Sequence, residues 1–382
     1  MATPSVPQPV AKPSADKPSV TRRSVIRAGD PEQLRGRLAA WIDGWRPGAV
    51  VTELTVPEAN GMSSETVLFD LRLPDGGVQP CVLRLAPDPD GYTVFPRYDM
   101  ERQYRCIELV AAHTRAPVPR LLRLETDPEP LGAPGFVMAR VDGRVPPDLM
   151  PYTYSGNWLH EASDAERAQL QRASVEVLAE LHRVPVAEAG FLRPAESGQT
   201  PLRQHVKQQR AYYDWVVAGR AASPLIERAF ARLERLWPVH EGETVLSWGD
   251  ARIGNIVYQG FTPAAVLDWE MAALGPRELD LGWFVFLHRF FQDLTVAFGQ
   301  AGLPDFLDRD TVVAQYTEAS GHVPHDLEFF TLYAALRHAV VMLRIGYRQV
   351  HLGETEAPDD PDRLILHRAT LEAMVEGRYW SH

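Results

Sequence analysis

Asp250, Asn255 and Asp268 are the residues of this chain whose types and spacing could do chemistry together. The first two bracket a loop in LSWGDARIGNIV (246–257), and the third follows in AAVLDWE (264–270). Asn255 opens the apolar run NIVYQ, which reads as a strand. Asp268 ends a second such run, joined to the first by the short turn GFTP. Pairing the two runs as a hairpin brings Asn255 and Asp268 to one point. Two oxygen ligands there suit Mg2+, which takes few protein oxygens and keeps its remaining positions for water and phosphate. Asp250, in the loop just before, is left to accept a proton. A metal clamp beside a carboxylate that orients an attacking hydroxyl is the arrangement phosphoryl transfer requires. Asp and Asn also make ordinary turns, and one Asp-to-Asn spacing alone does not separate the two readings.

Such residues need elements to position them. Residues 1–28 are rich in Pro, Ser and Ala and are expected to form a disordered tail. DPEQLRGRLAAWI then predicts a helix, with Asp30 as N-cap, Pro31 at the first position and Leu34, Leu38 and Trp41 on one face. VVTELTV, ETVLFDLRL and CVLRLA read as strands, the last two joined by the Gly-bearing turn PDGGVQ. A helix at DMERQYRCIELVAAH and strands at PRLLRLET and GFVMARV complete the first part. Beyond Gly143 helical patterns dominate: 164–183, 201–218, 224–237, 279–294 and 325–350. Thr200–Pro201 and Ser223–Pro224 are cap-plus-proline starts. The expected class is α+β: an antiparallel β-rich lobe with one helix at 29–139, a connector near 139–143, and a larger mostly helical lobe over 140–382.

Bulk properties narrow the function. The chain has 382 residues, 45% of them hydrophobic, enough for one large core or two linked ones. No apolar run reaches the ~20 residues of a membrane span, and the first residues lack the apolar segment of a secretory signal. A formal charge of −11 argues against nucleic acid as a partner. Cys81 and Cys106 each sit in an apolar pattern, which points to reduced thiols and a cytoplasmic setting. Neither a P-loop nor a dinucleotide glycine motif occurs. Nothing sets an oligomeric state.

LSWGDARIGNIV and LDWEMAALGPRELDLGWF resemble the core motifs of the aminoglycoside phosphotransferase-like kinases, which share the protein-kinase fold. The usual first motif is H-G-D-x-x-x-x-N, and the second is similar to I-D-W-E followed by a G-x-x-x-x-D-L run. VLAELHRVP (177–185) is similar to the segment that precedes their catalytic loop. PYTYSGNWL and ERQYRCIELV resemble the branch related to kinase-like domains fused to some acyl-CoA dehydrogenases.

The resemblance implies a two-lobed, kinase-like fold and a Mg2+-dependent enzyme that moves the terminal phosphate of ATP or GTP to a hydroxyl of a small molecule. It makes Asp250 the catalytic base, Asn255 and Asp268 the metal ligands, and Asp280 a brace for the catalytic loop. Trp248 stands where the family's His packs beneath that loop. NGMSSETVLFDL takes the place of the phosphate-covering loop: Gly61 allows close approach, and Ser63 and Ser64 offer donors. With Lys12, Lys17 and Lys207 as its lysines, the chain leaves Arg84 as the phosphate-gripping cation, with Glu101 as its partner. Backbone near Ala139 and Val141 would meet the adenine, and Met138 would line its pocket. Alternatives are a weakly active or inactive nucleotide-binding module, or a kinase of a hydroxy acid or hydroxyacyl-CoA.

The acceptor is not written in the sequence. Trp269 and Glu270 could face it or simply close the hairpin. Tyr152, Tyr154 and Trp158 could shape its site or pack. Arg337, Arg344 and Tyr347 interrupt an apolar helix, the two arginines seven apart on one face, and could bind an acidic acceptor or lie on an exposed face. His182 reads as a packed, hydrogen-bonded core histidine.

Overall fold

The computed structural model describes residues 31–57, 64–193 and 198–380. The expected tail, the Asp30 cap and the loop residues Gly61 and Ser63 lie outside these. Helix α1 (Pro31–Asp43) buries Leu34, Leu38 and Ile42. Five strands follow, β1 (Val50–Thr55), β2 (Glu65–Arg72), β3 (Val78–Leu85), β4 (Leu121–Glu125) and β5 (Gly135–Ala139), with α2 (Met100–His113) between β3 and β4 and the single turn α3 (Pro128–Leu131) before β5. They form one sheet in the order β1-β2-β3-β5-β4, antiparallel at every pairing described.

Alternation explains the sheet's inner face. On β2, Val67, Phe69 and Leu71 are wholly buried while Thr66, Leu68 and Asp70 are half-buried and Arg72 is exposed. Each such side chain contributes about 1.5–3 kcal/mol of hydrophobic stabilisation. α2 starts where Asp99 accepts a hydrogen bond from Arg102 N–H, and its inward stripe is Met100, Gln103, Cys106, Ile107 and Val110.

The remainder is helical: α4 (Asp164–Leu181), α5 (Pro201–Val216), α6 (Pro224–Arg235), then α7 (Glu278–Ala297), α8 (Arg309–Ser320), α9 (Leu327–His351) and α10 (Arg368–Val375). Thr200 and Ser223 cap α5 and α6 by accepting from Arg203 and Ile226 N–H. α9 is long and apolar enough to cross a membrane, but 83% of its apolar window is buried inside the protein; it packs against α5, α6 and α7 as a core helix.

Two small antiparallel pairs lie among the helices: β6 (Thr244–Ser247) with β9 (Ala273–Pro276), and β7 (Ile256–Gln259) with β8 (Thr262–Val266). The second is the expected hairpin. The first runs in four-residue strands too short to show an alternation, and it closes the base of both loops that carry the site.

Candidate active site

The loop 248–255 runs between β6 and β7, and 267–272 runs between β8 and β9, so the two strand pairs hold both loops at either end. Asp280, at 0% exposure near the start of α7, organises the first loop. Its Oδ1 accepts Ser247 Oγ–H at 2.8 Å and Gly249 N–H at 2.9 Å; its Oδ2 accepts Trp248 N–H at 2.8 Å and lies 3.0 Å from His182 Nε2. Burial alone would push this carboxyl up, but the bonds from His182, the loop N–H and Ser247 outweigh it and hold it below its ordinary value. Asp280 thus ties the loop to α7, and His182 is its buried partner, with Tyr316 OH 2.6 Å from its other ring nitrogen.

Trp248 is fully buried, and its indole N–H donates to the carbonyls of Leu267 (2.9 Å) and Asp268 (3.2 Å), so it ties the Asp250 loop to the Asp268 loop. Gly249 explains the glycine before Asp250. Its φ is +90°, and a Cβ there would overlap the Met271 carbonyl. Only glycine takes that backbone and that approach without strain.

Asp250 is held on three sides. Its Oδ1 accepts Trp283 Nε1–H at 2.8 Å, its Oδ2 accepts Asn255 Nδ2–H at 2.7 Å, and Arg252 Nε lies 3.2 and 3.1 Å from the two oxygens. Arg252 also bonds Asp148 through Nη1. Gly254 makes that pair possible, since a Cβ there would collide with both side chains. Burial opposes the Arg252 charge, but Asp250 and Asp148 together raise its pKa. With Asn255 Nδ2 committed to Asp250, the amide oxygen is the end left for a cation.

Asp268 lies two residues beyond β8, not at its end, in the left-handed region at φ +60°. Leu267 N–H donates to Asn255 O at 2.8 Å, so the hairpin pairing continues as far as the two proposed ligands. Asp268 Oδ1 is buried and accepts no hydrogen bond among the described residues; Arg84 Nη2 stands 3.7 Å away. Burial and the neighbouring Asp250 charge raise the Asp268 pKa against the opposing pull of Arg84 and Arg252. A buried, underpartnered carboxylate oxygen beside an available amide oxygen fits a hard divalent cation.

Arg84 projects from β3 into this cleft, donating to Thr66 Oγ1 at 2.9 Å. Its expected partner Glu101 is a correction: Glu101 is exposed. α2 turns 100, 103, 106, 107 and 110 inward, so position 101 points to solvent and Gln103 occupies the inward place on that turn. The available carboxylate for Arg84 is Asp268. Ser64 is buried, and its hydroxyl has no hydrogen-bond partner among the described residues. Met138 is buried on β5; Ala139 N–H is spent on Arg120 O and Arg140 N–H on Pro80 O, leaving Val141, half-buried beyond the strand, at the connector's edge.

The acceptor candidates divide. Arg337 and Arg344 are a second correction: they are buried, 2% and 7% exposed, because α9 is a core helix and both of its long faces are covered. Arg337 donates to Gly249 O at 3.0 Å and stacks on Trp283 (4.5 Å), the same indole that bonds Asp250. It braces the loop from behind. Arg344 donates to Thr93 O and lies between the rings of Tyr92 and Trp215. Tyr347 is half-buried, with the Arg220 guanidinium over its ring. Tyr152 and Tyr154 are core residues; Tyr152 OH donates to His288 Nδ1 at 3.0 Å, since His288 Nε2 faces the Leu303 carbonyl. Trp158 packs beside Arg144 and Phe261. Trp269 is buried against Trp248. Glu270 lies near enough to Tyr98 and Tyr212 that its charge adds to burial in pushing both phenols up.

Sequence reasoning missed Arg252, Trp283 and the segment 87–99, which leaves β3 and docks on α5 and α9 through Tyr212 OH to Val94 O (3.0 Å) and Arg344 to Thr93 O. An Arg two residues past Asp250 was a visible signal; the role of Trp283 was not.

Comparison with known proteins bears on this arrangement. Residues 59–316 match the phosphotransferase enzyme family. The chain belongs to that family. It is 27% identical over 266 residues to human acyl-CoA dehydrogenase family member 11, covering 68% of this chain and 30% of that protein, and 29% identical over 209 residues to the chicken protein of the same name, covering 54% and 25%. The chain thus spans about a third or less of the length of these curated relatives. Among solved structures, a Ralstonia eutropha protein provisionally assigned as an aminoglycoside phosphotransferase aligns with TM-score 0.65 at 22% identity, covering 91% of this chain and 98% of that one. Macrolide 2'-phosphotransferase MphH of Brachybacterium faecium aligns with TM-score 0.53 at 20% identity, covering 88% and 97%. These similarities establish the kinase-like phosphotransferase fold.

Proposed function

We propose that this family member transfers the terminal phosphate of ATP or GTP to a hydroxyl of a small molecule, with Asp250 as general base. The observation that supports this most is the grouping of Asp250, Asn255 and Asp268 on two loops clamped by β6–β9 and β7–β8. In this reading Asn255 and Asp268 hold Mg2+, which when bound neutralises and orients the donor phosphates. The protein's own parts do the rest. Asn255 and Trp283 aim the Asp250 carboxylate, which takes the proton of the attacking hydroxyl at Oδ1 or Oδ2. Arg252 spans both oxygens of that carboxylate and would meet the charge that develops on a transferring phosphate. Arg84 grips the donor phosphates, Ser64 offers a hydroxyl that has no partner among the described residues, and the Val141 end of the connector meets the nucleotide's base. The acceptor would enter on the Glu270 side, where Tyr98 and Tyr212 also come together. Following ATP and GTP consumption across a panel of amino sugars, macrolides, hydroxy acids and hydroxyacyl-CoA thioesters tests the activity; no Mg2+-dependent turnover with any class would sink it. The similarity to acyl-CoA dehydrogenase family members is what favours including the last two classes.

Asp268→Ala is expected to abolish the Mg2+ dependence of nucleotide binding, and Asn255→Ala to weaken it. Nucleotide titrations with and without Mg2+ decide; equal metal dependence in wild type and both variants rules out the shared-metal reading.

Arg84→Ala is expected to weaken ATP binding more than adenosine binding, since only ATP has phosphates to lose. Arg84→Lys should recover part of the loss, because charge returns without the fork. Equal losses for both ligands would make Arg84 a structural residue whose task is neutralising Asp268.

A further inference from the structure

On the far side of Asp280 from the catalytic loop, Glu278, His322 and His325 converge, with one ligand-capable atom of each within 4.8 Å of the others. Glu278 opens α7 directly after β9 and is 1% exposed. The two histidines lie three apart on the loop from α8 to α9, one-quarter and about one-third exposed. That loop leaves α8 through Gly321 at φ +74° and enters α9 through Asp326 in the left-handed region at φ +51°. The backbone is thus bent at both ends to present these side chains.

The hydrogen bonds leave the cluster short of positive charge. Glu278 Oε1 lies 2.8 Å from His322 Nε2 and accepts His325 N–H at 3.3 Å. Glu278 Oε2 is buried with no partner among the described residues. His325 Nδ1 is 2.9 Å from Asp326 Oδ2, so its N–H donates there. The other nitrogen, Nε2, lies 3.7 Å from Glu278 Oε1, beside the second carboxylate oxygen that has no partner among the described residues. In the neutral ring that nitrogen carries the lone pair a metal would take. A carboxylate fixing one ring nitrogen so that the other is a ligand is the usual support of a metal-bound histidine. Gly242, at φ +86°, carries no side chain toward this point; a Cβ there would stand 3.5 Å from His325 Nε2 and 3.6 Å from Glu278 Oε2.

We propose that Glu278, His322 and His325 form a second metal site, for a zinc-class divalent ion, that fastens the α8–α9 loop to the start of α7. Two imidazoles and one carboxylate suit Zn2+, Co2+ or Ni2+; Mg2+ and Ca2+ prefer oxygen alone. Tetrahedral bonds of about 2.0–2.2 Å set ligand atoms about 3.3–3.6 Å apart, a spacing the two partly exposed rings reach by small rotations. His322 takes its Nδ1–H tautomer when the metal replaces the Nε2 proton, and water fills the fourth position. Glu278 is two residues from Asp280, so the ion would stiffen the base of the catalytic loop.

The test uses full-length protein stripped with chelator and dialysed. Zn2+ should bind at one equivalent and raise the melting temperature, and Co2+ should give the visible absorption of a four-coordinate site. His322→Ala and His325→Ala should each remove the one-equivalent step, and Asp326→Asn should weaken it about 10–100-fold. Asp268→Asn, in the other site, should keep it. His325→Ala removes a ring whose side-chain hydrogen bond is to the exposed Asp326, so its metal-free melting curve should stay near wild type. It keeps the comparison valid if Glu278→Gln or His322→Ala, which break the buried Glu278–His322 pair, misfold. Absence of one-equivalent Zn2+ binding in wild type, or binding unchanged in both histidine variants, overturns the site and leaves a proton-bridged Glu–His cluster in its place.

Discussion

Asp250→Ala should lower phosphate transfer by about 10²–10⁴-fold, the usual contribution of a general base, while nucleotide affinity stays near wild type. The expectation rests on how the carboxylate is held. Trp283 and Asn255 donate one to each oxygen, and Arg252 spans both. Among the described residues these bonds reach the nucleotide side of the cleft through Asn255, and the Asp250 charge also acts on Asp268. Because the alanine variant strands these donors, Asp250→Asn belongs beside it: it keeps the volume and loses the base. Both variants should bind ATP with Mg2+, and both should transfer phosphate only at the reduced rate. Single-turnover measurements on a confirmed acceptor would separate chemistry from product release. Transfer surviving within a few-fold in Asp250→Asn would remove Asp250 from the chemistry.

Gly249→Ala should be the most damaging substitution outside the charged residues. A non-glycine residue in the left-handed region costs roughly 1–2 kcal/mol. Here the added Cβ also overlaps the Met271 carbonyl, a backbone atom that cannot rotate away. The loop must shift, and with it the Gly249 N–H bond to Asp280 and the Gly249 O bond from Arg337. Asp250 is the next residue, and a displacement of about 1 Å at a reacting group is enough for about a 10²-fold loss. A melting temperature lower by several degrees and a transfer rate down by about that factor are the expected results. Gly36→Ala is the matched control: position 36 lies on the exposed side of α1 with nothing within 4 Å of a Cβ, so alanine there should be neutral or stabilising by up to about 1 kcal/mol. A Gly249→Ala protein as stable and as active as wild type would show that the loop backbone adapts freely.

The cations near the site form a pattern around these two predictions. Arg337 lies behind the loop and Arg252 beside it, while Arg84 is across the cleft. Burial lowers the Arg337 pKa, yet the carbonyl of Gly249 and the face of Trp283 receive its charge. A surface-exposed arginine would do neither.

Local signals carried much of the site's layout. Asp250, Asn255 and Asp268 were legible because hairpin pairing follows from two apolar runs and a short turn, and pairing alone brings 255 and 268 together. His182 was legible as a packed polar residue at the end of an apolar helix face, whereas Asp280 stood out only through the resemblance of its motif. The capped starts of α5 and α6 were legible because Thr-Pro and Ser-Pro act within one turn. What depends on which faces meet was not. The period of α9 shows where 337 and 344 point relative to each other, but only the surrounding helices make both faces interior and turn two candidate acceptor ligands into a loop brace and a strap anchor. The periodicity of α2 shows that 101 and 103 differ in direction; only the docked sheet decides that 103 faces in and 101 faces water. β6 and β9 are four residues each and pair across 25 residues of intervening chain, so no local window contains the bonds that define them. Trp283 reaches Asp250 and His322 reaches Glu278 for the same reason: each contact joins residues more than thirty positions apart, and such contacts arise from packing, not from the pattern along the chain.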